Sequence, residues 1–227
     1  MLQQVAQGLG DLREEVVFVG GAVTELYSDD PAASDIRPTI DVDCVVELGT
    51  RKAYYKLEEE LRKRKFSNDI TPGAPICRWI YDGIIVDIMP IDSEILGFGN
   101  QWYKAGIDSK IVKSLPDGTS VFVFSVEYFL SAKLEALIDR GGIDLRLSHD
   151  FEDIIYVLDN CTELMEIISS SSDIELRKYL KDIFGVFIRN KNIEESVRCA
   201  LPLYTDDERV EYIVDRMTRI SETLLLV

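Results

Sequence analysis

Histidine, paired cysteines and long apolar runs are scarce in this sequence, and each scarcity argues against a class of protein. The 227 residues include one histidine, His149, which leaves little room for catalysis by a Ser-His-Asp or Cys-His arrangement. The four cysteines are at least 33 residues apart and form no C-x-x-C pair. We therefore expect reduced thiols rather than a disulfide framework or a zinc site. No apolar run approaches the ~20 residues of a bilayer span, and the first residues do not resemble a secretory signal, so we expect a soluble, cytoplasmic protein with no membrane partner.

Positive charge is also scarce. Lysine and arginine number 25 against 41 aspartates and glutamates, for a net charge of −16, which argues against a protein that binds nucleic acid through a broadly basic surface. One exception is "RKAYYKLEEELRKRK" at residues 51–65. We interpret it first as the solvated face of a helix and only secondarily as a ridge that contacts phosphates. The composition, 46% hydrophobic and 29% charged, is that of a globular protein.

The order of apolar patterns predicts an α+β protein, with a mixed α/β half followed by a helical half. Apolar runs at 16–21, 37–48 and 121–125 predict strands, and apolar residues at four-residue steps predict a helix over 50–65. The segment 76–89 reads as a hairpin that turns at Asp82-Gly83. We place a core domain at 1–118 and a mainly helical domain at 119–227, where Ser172-x-x-Glu175 and Thr205-x-x-Glu208 read as capping boxes.

Two acids interrupt the predicted strand "RPTIDVDCVVEL". Asp41 and Asp43 are two residues apart, so they share one face of the strand and repel each other unless a positive group lies between them. A wet strand edge would explain them without any function. The neighbouring residues are apolar on both faces, however, as in a central strand, and hard oxygen ligands suit Mg²⁺.

A third acid, Asp87, lies in the apolar run "GIIVDIMP", where burial without a partner is costly. Either it faces the surface, or it forms a salt bridge with Arg78 across the hairpin, or it joins Asp41 and Asp43. Three clustered carboxylates are typical of two-metal phosphoryl-transfer sites. Acids scattered without a common site remain a structural alternative.

Two cations are predicted on the apolar stripe of the helix that begins near Val126. At ~100° per residue, Lys133 and Arg140 share the inward face, which suggests a buried anion such as a triphosphate or a carboxylate. Asp150 is either an acid in the first turn of the next helix or an internal partner for one of these cations.

Four stretches in order, "VFVGGAVTELY", "RPTIDVDCVVEL", "GIIVDIMP" and "FSVEYFLSAKLEALIDRGG…SHDFEDIIYVL", resemble nucleotidyltransferases of the DNA polymerase beta superfamily. More narrowly, they resemble the AbiEii/AbiGii toxin family, to which the MenT toxins are related. The resemblance covers residues 16–160 and implies a polymerase-beta-type core, a mixed sheet with flanking helices, followed by a helical C-terminal region.

The resemblance also implies roles for residues. Asp41, Asp43 and Asp87 would ligate Mg²⁺, as a pair of ions, and Asp87 would accept the proton of the attacking hydroxyl. Lys133 would act in catalysis by contacting the triphosphate. The remaining nucleotide-binding positions that we infer are Gly20, Gly21, Arg37, Arg140 and Asp150. Lys133 and Asp150 would come to the cleft from the C-terminal domain.

The resulting expectation is an enzyme of the EC 2.7.7 type that moves NMP from an NTP, such as ATP, to an acceptor hydroxyl. Acceptors include RNA, a protein or a small molecule. The toxin resemblance favours tRNA, with a toxin-antitoxin or phage-defence role and a cognate antitoxin as partner. The alternatives are an aminoglycoside-type antibiotic nucleotidyltransferase and a non-catalytic nucleotide-binding protein on the same fold. Ala22 favours the latter, because the superfamily often has serine or threonine there.

Overall fold

The computed structural model describes residues 1–97, 99–141 and 144–222. The predicted domain 119–227 therefore extends past the described residues, and Gly142 of the quoted motif lies outside them. The chain divides into two compact units, one formed by residues 1–23 and 37–125 and the other by residues 24–36 and the chain from residue 126 onward. The predicted boundary at 118/119 lies seven residues before the 125/126 division.

The first unit is built on a mixed seven-stranded sheet with the order β3-β4-β5-β2-β1-β7-β6. Its strands are β1 (Val16–Val19), β2 (Asp41–Val46), β3 (Ser67–Asn68), β4 (Arg78–Tyr81), β5 (Ile84–Pro90), β6 (Ile111–Ser114) and β7 (Ser120–Val123). β2 is parallel to β5 and antiparallel to β1, and β1 is parallel to β7. The helices of this unit are α1 (Leu2–Leu9), α2 (Arg51–Lys63), α3 (Ser93–Leu96) and α4 (Tyr103–Asp108). The predicted α+β class with a mixed sheet is confirmed.

Local signals explain several of these elements. Thr50 caps α2 by accepting a hydrogen bond from the Ala53 backbone N–H, and the helix buries Leu57 and Leu61 as its four-residue spacing predicts. The β4–β5 hairpin turns at the predicted dipeptide, where Asp82 and Gly83 both have positive φ, as a tight type I′ connection requires. After β1 the chain forms a 3₁₀ segment, Gly21–Tyr27.

The second unit is helical, which confirms the predicted helical half. Its helices are α5 (Val126–Asp139), α6 (His149–Asn160), α7 (Leu164–Ser170), α8 (Ile174–Ile188), α9 (Ile193–Cys199) and α10 (Asp207–Glu222). Its core contains large fully buried side chains, among them Phe151, Phe184 and Met217. Within the described part of the chain, no helix combines the length and the apolar character that a bilayer crossing requires.

Both predicted capping boxes are wrong by one residue. The cap of α8 is Asp173, whose carboxylate accepts from the Leu176 backbone N–H at 3.0 Å. At α10 the Asp206 carboxylate accepts from the Arg209 N–H at 2.9 Å, while the Thr205 hydroxyl donates to the Pro202 carbonyl. In each case an aspartate directly follows the predicted hydroxyl residue, and aspartate caps a helix at least as well.

The four cysteines are free thiols, as predicted, and three of them are buried.

Candidate active site

The three acids of the predicted cluster lie together in the first unit. β2 and β5 are parallel neighbours in a register that sets Asp43 opposite Asp87, and Asp41 follows the same side of β2. Each of the three carboxylates offers an oxygen atom within 4.8 Å of the others. The prediction that Asp87 joins the acid pair is therefore confirmed, and the alternative of scattered acids is wrong.

The acids occupy the less buried face of a central part of the sheet. Asp41 and Asp43 are half-buried, and Asp87 is 8% exposed. On the opposite face, Val42 and Val86 are fully buried. The alternation along β2 and β5 thus puts apolar side chains into the core and the carboxylates where a small ligand has access.

Two neighbouring side chains orient the carboxylates. The Thr39 hydroxyl donates to Oδ1 of Asp41 at 3.0 Å. The Arg78 guanidinium donates to both oxygens of Asp87, from Nε to Oδ1 at 2.9 Å and from Nη2 to Oδ2 at 2.7 Å. The salt bridge that the sequence offered as an alternative for Asp87 therefore exists alongside the cluster. The sequence analysis gave Thr39 no role, although a hydroxyl two residues before an acid on a strand is a usable signal.

Gly20 is required for a reason that the sequence did not reveal. Its φ is +73°, and a Cβ placed there would lie 2.0 Å from Oδ2 of Asp43. Only glycine therefore lets the turn after β1 pass beside this carboxylate without displacing it. The predicted role of Gly20 and Gly21 in receiving phosphates stays a prediction.

Burial and then the negative charge of the cluster raise the pKa values of neighbouring thiols. Burial raises the pKa of the Cys44 thiol well above its usual range, and the charges of Asp43 and Asp87 raise it further. Burial and then Asp87 raise the pKa of Cys77 to about 12. Both thiols therefore stay protonated at neutral pH.

The cluster fits a small divalent cation. Mg²⁺ binds oxygen ligands at about 2.1 Å in an octahedron, so neighbouring ligand oxygens lie about 3 Å apart and opposite ones about 4 Å apart. Carboxylate oxygens within 4.8 Å of one another need only small side-chain rotations to reach that geometry. Asp41, Asp43 and Asp87 are the residues that would hold the metal.

The second unit contains the other predicted site residues. Lys133 is 8% exposed, and its Nζ donates to Oδ1 of Asp150 at 3.2 Å and to Oδ2 of Asp153 at 2.6 Å. Arg140 also pairs with Asp150. The sequence reading of Asp150 as an internal partner for these cations is thus confirmed, whereas Asp153, one helical turn further along, was missed.

The inward orientation predicted for Arg140 is wrong, because its side chain is 71% exposed. α5 ends at Asp139, so Arg140 lies at the end of the helix, where its long side chain extends into solvent. Arg37 is half-buried. The nucleotide contacts inferred for Arg37, Lys133, Arg140 and Asp150 stay predictions.

Neither a protein-family model nor a curated protein matches the chain. Two solved structures from Helicobacter pylori resemble it weakly. One, provisionally described as a nucleotidyltransferase, is 11% identical and covers 97% of this chain and 92% of its own, with a TM-score of 0.47. The other, JHP933, is also 11% identical and covers 97% and 89%, with a TM-score of 0.44. Likeness at this level assigns no role to any residue of this chain.

Proposed function

We propose that this protein is a Mg²⁺-dependent nucleotidyltransferase. The observation that carries the proposal is the gathering of Asp41, Asp43 and Asp87 on one face of the sheet, within 4.8 Å of one another. Thr39, Arg78 and Gly20 all serve this arrangement, by donating to its oxygens or by leaving room for one of them. Side chains that had only to make a surface hydrophilic would not need such support.

The proposed reaction joins an acceptor hydroxyl to the α-phosphorus of an NTP and breaks the bond between that phosphorus and the bridging oxygen, releasing pyrophosphate. Bound Mg²⁺ supplies charge neutralisation of the phosphates and a lowered pKa of the attacking hydroxyl. Asp41 and Asp43 hold the metal, and Asp87 shares in holding it. The acceptor proton passes to Asp87 or to water, and for the first route one Asp87 oxygen has to be released by Arg78.

The triphosphate contact of Lys133 is a separate part of the proposal. The lysine already has two carboxylate partners, so a phosphate has to compete with Asp150 and Asp153 for its three donor hydrogens. Arg37, Arg140 and the backbone at Gly20 and Gly21 are the other phosphate contacts we propose, on the strength of the sequence resemblance.

The sequence resemblance also favours a finer assignment. We propose a toxin of a toxin-antitoxin or phage-defence system that acts in the cytoplasm on tRNA, uses an NTP such as ATP and is held inactive by a cognate antitoxin. An antibiotic nucleotidyltransferase is the alternative that keeps the same chemistry and replaces the acceptor. A non-catalytic nucleotide-binding protein is the alternative favoured by Ala22, which has no hydroxyl to donate to phosphates.

The test is transfer of radiolabel from each of the four α-labelled NTPs, with MgCl₂, to total tRNA, to the protein itself and to aminoglycosides. We expect label on one acceptor class for the wild type and none for Asp43→Asn. Asp11→Asn is the matched control, since it makes the same chemical change at an exposed position of the same unit. Tight NTP binding without transfer to any acceptor would leave the non-catalytic alternative.

A further inference from the structure

Arg78 and Asp87 form a two-pronged ion pair within the carboxylate cluster. The two residues lie opposite each other on antiparallel β4 and β5, so the sheet register itself brings them together. Both oxygens of Asp87 accept a hydrogen bond from the guanidinium, at 2.9 and 2.7 Å. The Asp87 side chain is 11% exposed and that of Arg78 is 26% exposed.

A metal ion at the cluster changes the situation of this pair. A carboxylate has about four lone-pair positions, and the two-pronged contact with arginine uses one on each oxygen. A divalent ion held by Asp41, Asp43 and Asp87 would lie close to the Arg78 guanidinium, which is also positively charged. Arg78 and the ion therefore compete for Asp87, electrostatically and for its oxygens.

We propose that Arg78 is a built-in counter-cation of the metal site. It holds Asp87 in the cluster while no metal is bound, and it gives up at least one oxygen of Asp87 when the metal binds. Arg78 is thus a positioning residue that raises the metal concentration at which the site fills. This inference rests on the proposed function, because it takes the cluster to be a metal site.

The surroundings of Arg78 allow such a release. Arg78 is the first residue of β4. Cys77 before it is buried, but Ile76 is 64% exposed and Ile70 is 94% exposed. A guanidinium that is already a quarter exposed can turn to water without leaving a buried charge unpaired. Lys133 of the second unit is different, since its side chain is 10% exposed and it pairs with two buried carboxylates at once.

The experiment is a titration of the metal-free protein with Mn²⁺. The concentration of free Mn²⁺ is measured at each step by electron paramagnetic resonance. We expect Arg78→Gln to bind Mn²⁺ about tenfold more tightly than the wild type, because the loss of one charge-assisted contact to Asp87 removes the competitor. Arg78→Lys keeps the charge without the two-pronged contact, so its affinity for Mn²⁺ should lie between those of the wild type and Arg78→Gln. Arg62→Gln is the charge-matched control, since Arg62 lies over the Trp79 ring, on the face of β4 opposite to Arg78.

Weaker or unchanged Mn²⁺ binding in Arg78→Gln would overturn the proposal, because Arg78 would then prepare Asp87 for the metal or play no part. A second measurement guards against a variant that folds poorly. In chelator, Arg78→Gln should unfold at a lower temperature than the wild type, and Mn²⁺ should raise that temperature by more in the variant. If Mn²⁺ raised the unfolding temperature of Arg78→Gln only as much as that of the wild type, the proposed competition between Arg78 and the metal would also be contradicted.

Different results would refute the metal site and the role of Arg78. If the wild type takes up no Mn²⁺, or if Asp43→Asn takes up as much as the wild type, the metal site itself is refuted, and the inference about Arg78 with it. If the wild type binds Mn²⁺, Asp43→Asn does not, and Arg78→Gln binds less, only the inference about Arg78 is wrong.

Discussion

Asp43→Asn is the substitution whose consequences depend most on the acids being a metal site. The change keeps the shape of the side chain and removes one negative charge from the cluster. Because Arg78 already offsets the charge of Asp87, the main repulsion that disappears is the one between Asp43 and Asp41. Without metal we therefore expect the variant to be more stable than the wild type.

The magnitude follows from the spacing of the carboxylates. Two unit charges separated by the 4.8 Å limit of the cluster repel by about 3.5 kcal/mol at an effective dielectric constant of ~20 and by about 0.9 kcal/mol in bulk water. Both acids are half-buried, so the effective value lies between these limits. We expect the free energy of unfolding to rise by about 1–2 kcal/mol.

Bound metal should make the wild type more stable than Asp43→Asn, which reverses the order expected without metal. At a hundredfold excess over its dissociation constant, a ligand that binds only the native state adds about 2.7 kcal/mol. The wild type should gain this and Asp43→Asn should not. Urea unfolding in chelator and in saturating MgCl₂ measures both differences, with Asp11→Asn as the control. A variant that is less stable in chelator, or that gains as much from Mg²⁺ as the wild type, would refute the reasoning.

Three further substitutions test other contacts by urea unfolding. Gly20→Ala should lose more stability than Gly83→Ala, because both have positive φ, costing about 1–2 kcal/mol, but only at Gly20 would the new Cβ meet a carboxylate, at 2.0 Å; equal losses would contradict this. Lys133→Met should cost about 3–5 kcal/mol, because it removes the buried cation that pairs with Asp153 and that shares Asp150 with Arg140. Adding Asp153→Asn should restore part of the loss, and a failure to do so would show that the pairing is not the cause. The backbone N–H of Thr119, and then its hydroxyl, donate hydrogen bonds that lower the pKa of Asp117. The stability that these bonds provide is therefore complete above the unfolded pKa of ~3.9 and is lost as the pH falls through the lower folded pKa. Asp117→Asn should therefore be less stable than the wild type at neutral pH and equal to it in strong acid, whereas a pH-independent difference would be evidence against this role.

The strands, the hairpin and the acid face were predictable because they depend on neighbours in the chain. Alternation in "RPTIDVDCVVEL" puts Asp41 and Asp43 on one face whatever the rest of the protein does. Asp82-Gly83 likewise specifies its own turn, since both residues accept positive φ.

The remaining features depend on how distant segments pair. The register of parallel β2 and β5, which sets Asp43 opposite Asp87, follows from a crossover of some forty residues and cannot be read from either strand. The close approach of Gly20 to Asp43 and the pairing of Lys133 with Asp153 are of the same kind. Arg78 was visible in the sequence, but only the structure shows that it contacts both oxygens of an acid that also belongs to the cluster.

Nucleotidyl transfer is tested directly by finding which phosphate of the nucleotide reaches the acceptor. The wild type and Asp43→Asn are incubated with MgCl₂, the acceptor and an NTP labelled either at the α- or at the γ-phosphate. We expect the wild type to move the α-label to the acceptor and to release the γ-label as pyrophosphate, and Asp43→Asn to do neither. Transfer of the γ-label to the acceptor, or transfer of the α-label that survives the substitution, would contradict this expectation.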